Sequence, residues 1–75
     1  MNFIIVGFEK YKGEFVYEQH FGIPVSDLMI VMQWNSSADY IGVDFPVLPA
    51  QAEQISRLAS IKLPFNLNLY IGGYE

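Results

Sequence analysis

The chain has 75 residues, 52% of them hydrophobic and 16% aromatic, with no cysteine, a single histidine (His20) and a net charge of −4. That length holds one core, so the expectation is a single domain over residues 1–75, without disulfide staples and with no cysteine–histidine set for a structural zinc. The four cations (Lys10, Lys12, Arg57 and Lys62) are dispersed among eight Asp and Glu, whereas phosphate binding needs them clustered, so no nucleic-acid partner is expected.

Residues 2–8 are β-branched and aromatic at both parities, the pattern of a central strand buried on both sides. Residues 14–21 alternate, with Phe15, Tyr17 and Phe21 on one face and Glu14, Val16, Glu18 and His20 on the other. Between them Glu9-Lys10-Tyr11-Lys12-Gly13 is a short polar loop, and Gly13 suits a positive φ, so the two strands predict a hairpin.

Gly22-Ile23-Pro24 breaks the second strand, and Ser26 is the expected N-cap of a helix over residues 26–34. Asp27 in its first turn complements the helix dipole, and Leu28, Val31 and Met32 form its inner stripe, with Ile30 and Trp34 on the flanks. Asn35-Ser36-Ser37 ends it. Residues 39–44 read as a short third strand, kept to an edge or made irregular by Gly42 and Phe45-Pro46.

Pro49 opens a second helix over residues 50–59, with Ala52, Ile55 and Ala59 inward and Glu53–Arg57 as an i,i+4 pair. After Pro64, residues 65–71 alternate with Phe65, Leu67, Leu69 and Ile71 inward and Asn66, Asn68 and Tyr70 outward. Residues 72–75 are expected to be a loose tail. The fold class is therefore α+β: a small antiparallel sheet in the order β-β-α-(β)-α-β, with two short helices on one face and a polar-aromatic face left open.

The apolar start of the chain lacks a basic leader and runs into Glu9-Lys10, unlike a signal peptide. The apolar run at residues 28–32 is far short of the roughly 20 residues that span a bilayer. A complete, cytoplasmic protein with no membrane partner is expected, and the lack of cysteine fits a reducing compartment.

Equipment for catalysis is sparse. His20 shares a strand face with Glu18, so a carboxylate–imidazole pair is geometrically open to the chain, but nucleophilic catalysis also needs a nucleophile and an orienting third group. Asp39 and Asp44 lie on opposite faces of a regular strand and converge only if Gly42 is a bulge. They fit no calcium-loop pattern, and no glycine-rich phosphate loop is present. No metal and no cofactor are expected, and the chain reads as no enzyme. What remains is surface. Trp34, Asp39, Tyr40 and Asp44, with Glu18 on the hairpin, combine amphipathic aromatics with acids, the residue types that anchor and steer protein association.

The layout resembles small immunity proteins of bacterial toxin–immunity systems, of the bacteriocin and contact-dependent inhibition types. The likeness is carried by the hairpin Phe8-Glu9-Lys10 and Phe15-Val16-Tyr17-Glu18, the helix start Ile23-Pro24-Val25-Ser26-Asp27-Leu28, then Asp39-Tyr40, Asp44-Phe45-Pro46 and the helix at residues 51–58. It implies a non-catalytic protein that binds one cognate basic toxin domain, often a nuclease, and blocks it. On that reading Asp39 and Asp44 pair with Lys or Arg of the toxin, and Trp34 and Tyr40 are the buried anchors. The alternative is a small homo-oligomeric or adaptor module, a homodimer for instance, whose strand at residues 66–71 pairs edge to edge between subunits.

Overall fold

A computed structural model of the protein describes residues 2–34 and 44–74. The chain runs β1 (Asn2–Glu9), β2 (Phe15–Gly22), α1 (Val25–Met32), β3 (Phe45–Val47), α2 (Pro49–Ala59) and β4 (Leu67–Tyr74). The four strands form one antiparallel sheet in the order β2-β1-β4-β3. The fold is α+β, as the sequence predicts.

Strand pairing assigns the faces, because directly opposed residues share one side of a sheet. On the inner face Phe21, Phe3 and Gly73 form one row, Gln19, Ile5, Ile71 and Phe45 the next, and Tyr17, Gly7, Leu69 and Val47 a third. The helices lie against this face: Leu28 and Met32 of α1 and Ala52 and Ile55 of α2 join Phe3, Ile5, Leu69 and Ile71 in one apolar core. Among the described residues no polar side chain is buried. At Gly7 a Cβ would lie 2.8 Å from Leu67 Cδ1, 3.1 Å from Tyr17 Cβ and 3.2 Å from Leu69 Cδ2, so glycine lets the neighbouring strands' side chains close over that position.

The hairpin closes as read, with Glu9 N–H donating to the Glu14 carbonyl and Gly13 at φ 70°. One feature inside it escapes simple alternation. Gly7 pairs with Tyr17 but Phe8 pairs with Phe15, so Val16 is an inserted, bulged residue. The bulge moves Phe15 off the inner face assigned to it by period-two counting and onto the outer face beside Phe8.

Helix α1 starts at Val25 after Pro24, and Ser26 sits inside its first turn instead of capping it. The Pro24 carbonyl accepts from Asp27 N–H at 3.1 Å and from Leu28 N–H at 3.4 Å. At the other end Gln33 adopts the left-handed region (φ 58°), donating to the Ile30 carbonyl, while Trp34 N–H reaches back to the Met29 carbonyl. This is a Schellman termination, which turns the chain onto its own last turn. Trp34 is thereby returned to the core, 9% exposed and with its ring 5.1 Å from that of Phe45.

The third strand lies at Phe45–Val47, after the residues where sequence alone places it; residues 39–43 lie outside the described residues. Its proline and short length are consistent with its edge position. Helix α2 begins at Pro49, and Gln51 Oε1 accepts from Leu48 N–H at 2.8 Å. Leu48 has no side-chain acceptor, so only one half of a reciprocal capping box is made. Glu53 and Arg57 form their ion pair on the exposed side of the helix.

Two expectations about the last strand are corrected. Phe65 precedes β4 and is 62% exposed, not inward. Residues 72–74 are no loose tail, because Gly72, Gly73 and Tyr74 pair with Ile4, Phe3 and Asn2. β4 therefore runs the full length of β1 and lies between β1 and β3. β3 covers it at Leu69–Ile71, so that stretch is not available for pairing between subunits; among the described residues the longer uncovered edge belongs to β2.

Candidate functional site

β1 is central but is not buried on both sides. Its inner residues Phe3 and Ile5 are fully buried, whereas Ile4, Val6 and Phe8 on the outer face are only half-buried. Both helices pack on the inner face, and two helices of 8 and 11 residues leave nothing to form a second layer among the described residues. The outer face is the candidate site.

Its geometry follows from the register. One row holds Glu18, Val6, Tyr70 and Pro46, taken across β2, β1, β4 and β3; the row to one side holds His20, Ile4 and Gly72. On the other side Phe15 stands opposite Phe8, with Asn68 beyond it. The rings of Phe15 and Phe8 lie 5.9 Å apart and those of Phe8 and Tyr70 5.8 Å apart, both edge-to-face. Edge-to-face stacking is a favourable aromatic geometry, and here it makes a continuous aromatic band across three strands. Phe15 is 56% exposed.

At the β3 end this face runs into an apolar cleft of about 280 Å³, shared through Tyr70, Pro46 and Asn68 and walled by Leu48, Pro49 and Phe65. A cleft of that size can receive one or two side chains of a partner.

The residues singled out by sequence do not meet in one patch. Glu18 lies on the outer face of β2, and Asp44 is exposed just before β3, at the opposite edge of the sheet. At the usual strand spacing these margins are roughly 14 Å apart. Trp34 is a core residue against Phe45 and offers no exposed anchor. Asp39 and Tyr40 lie outside the described residues.

Glu18 Oε2 is 3.4 Å from His20 Nε2, with both side chains about half exposed (50% and 54%). The cross-strand neighbours of this pair on β1 are Val6 and Ile4, neither of them a nucleophile. Among the described residues no three His, Cys, Asp or Glu side chains gather into a metal site, and no helix is long and apolar enough to cross a membrane. Tyr17, on the inner side of the same strand, donates its hydroxyl to the Lys62 carbonyl at 3.1 Å, and burial raises its phenol above the ordinary 10.0.

Sequence reasoning identified Tyr70 as outward but missed the rest of the band. Ile4, Val6 and Phe8 looked doubly buried because they are apolar. Placing both short helices on one face already leaves the other open, and a doubly buried first strand conflicts with that placement. Phe15 carried no such signal, since its face depends on the bulge. Comparison with known protein families, curated proteins and solved structures finds no match for the chain.

Proposed function

We propose that this protein is a non-catalytic binding protein whose outer sheet face docks a basic partner protein, in the manner the resemblance to immunity proteins implies. The observation that supports this reading most is the uncovered face itself. Ile4, Val6, Phe8, Phe15 and Tyr70 form a contiguous apolar and aromatic surface with no layer over it among the described residues. Contiguous apolar patches of this kind mark interaction sites, and aromatic residues are the side chains most enriched at interface hot spots.

Charge supplies the partner's character. The chain carries −4 overall, and Glu18 and Asp44 stand at the two margins of the apolar band. With Lys10 and Lys12 confined to the hairpin end of this face, acids at the other margins steer a cationic surface and align it. The aromatic band would supply affinity and the acids would supply rate. Trp34 has no direct part in this surface; it supports β3 from the core side.

The test is capture of a partner from native lysate, followed by calorimetric titration with purified components. The expected partner is rich in Lys and Arg, and Phe15→Ser with Tyr70→Ser weakens it at least tenfold while the circular dichroism spectrum is retained. Asp44→Lys is expected to slow association several-fold at low salt. Unchanged affinity in the double variant would show that the outer face is not the binding surface.

A further inference from the structure

The two edges of the sheet differ. β3 is three residues long and contains Pro46, the combination that blunts an edge against further pairing. β2 is eight residues long and has neither proline nor lysine, and among the described residues it pairs only with β1. Its bulge is confined to one end, at Val16, leaving residues 17–22 in regular register. A regular edge of this kind is a template for another strand.

The side chains along β2 select which strand. Consider a second copy added antiparallel, related by a two-fold axis normal to the sheet so that all helices stay on one side. Opposed residues must then share a face, which limits the axis to passing through a residue rather than between two. With the axis at Gln19, Glu18 lies opposite His20 of the other copy on the outer face, and His20 opposite Glu18. On the inner face Tyr17 meets Phe21 of the other copy. Moving the axis to Glu18 sets two carboxylates directly against each other, and moving it to His20 sets two imidazoles together while removing the aromatic match. A carboxylate facing an imidazole, which can donate an N–H to it, and aromatic pairs directly across strands are favourable, and two carboxylates set together are not. Of these three registers, the one at Gln19 suits both faces.

We propose that a second copy of this chain is the ligand of the β2 edge, giving a two-fold dimer with a continuous eight-stranded sheet centred on the two Gln19 residues. The outer faces of both copies then merge into one surface, doubling the aromatic area available to a partner. The dimer does not depend on that partner, because its contacts run along residues 17–21 of β2 and not through Phe8, Phe15 or Tyr70; Glu18, at the margin of the band in one copy, then lies at the centre of the dimer.

Sedimentation equilibrium on the purified chain tests this. The expected mass at high micromolar concentration is twice the monomer's 8.6 kDa. Glu18→Lys is expected to weaken association at least tenfold, and adding His20→Glu to it restores association by reversing the pair. The chain has no cysteine, so one introduced thiol reports position without ambiguity. Gln19→Cys is expected to give a covalent dimer on mild oxidation, much faster than Phe15→Cys, which lies away from the axis. A chain that stays at 8.6 kDa throughout, charge variants with unaltered association, or equal cross-linking at both positions would each overturn the proposal. Loss of partner binding by Phe15→Ser and Tyr70→Ser without loss of the dimer separates this inference from the binding role of the outer face.

Discussion

Tyr17 shows how much a single edge residue can hold. Its Cβ sits close beside Gly7 on the neighbouring strand and its hydroxyl donates to the Lys62 carbonyl, tying β2 to the segment after α2. Burial raises its pKa above 10.0, so folding favours the protonated phenol. The sign follows directly. The unfolded chain ionises first, so stability is intact below about pH 10 and falls as pH rises from the unfolded value through the folded one. Urea unfolding between about pH 8 and pH 11 should therefore show a steeper alkaline loss for the natural chain than for Tyr17→Phe. Near pH 8 that variant should cost about 1 kcal/mol, the typical net contribution of one hydrogen bond. Parallel pH profiles would remove Tyr17 from this role. Gly7 and Trp34 make the same point about context. The first is glycine because three side chains close over it, and the second is buried because a left-handed Gln33 turns the chain inward.

Among the elements, those with strong local signals were legible in the sequence. The hairpin loop, the inner stripe of α2 and the alternation in β4 all follow from periods that a single segment expresses by itself. Where a segment's end depends on the backbone, the reading failed. The Schellman turn after α1 uses Gln33 in the place where glycine is the usual sign, so nothing marked it. The start of α2 is legible from Pro49, but its cap comes from Gln51 three residues into the segment and not from a Ser or Asp before it. Gln51 also donates from Nε2 to the Val31 carbonyl at 3.4 Å, linking the two helices. Gln51→Ala should lower stability by about 1 kcal/mol, within the usual range for a lost cap, with a matching drop in the urea midpoint and an unchanged m-value. A shift of less than about 0.3 kcal/mol would assign no capping role to this side chain.

At the scale of the whole molecule, the described residues form a two-layer structure, with helices on one face of the sheet and no layer over the other. A chain of this size has a total stability of roughly 4–11 kcal/mol, all of it dependent on one apolar core. The two faces of β1 should therefore respond differently to substitution. Ile5→Ala in the core should cost about 2–5 kcal/mol, enough to unfold much of the population. Val6→Thr, next to it but on the outer face, should change stability by about 1 kcal/mol or less, because the hydroxyl can reach water. Chemical denaturation of the two variants side by side measures the asymmetry, and equal losses would mean that the outer face is covered in solution. The candidate site was only partly legible for the same reason. An apolar residue at a strand position declares that it can be buried, not which layer, if any, will bury it.

By itself the sequence determined the α+β class, the kinds of elements and their order, the inner residues of α2 and β4, and a scarcity of groups suited to catalysis. These depend on composition and on short-range periodicity, which a single segment carries. Tertiary structure alone decided the strand order β2-β1-β4-β3, the bulge at Val16, the burial of Trp34 and the identity of the uncovered face. Each of those results from pairing or packing between residues distant in the chain, where the geometry of one element is set by its neighbours.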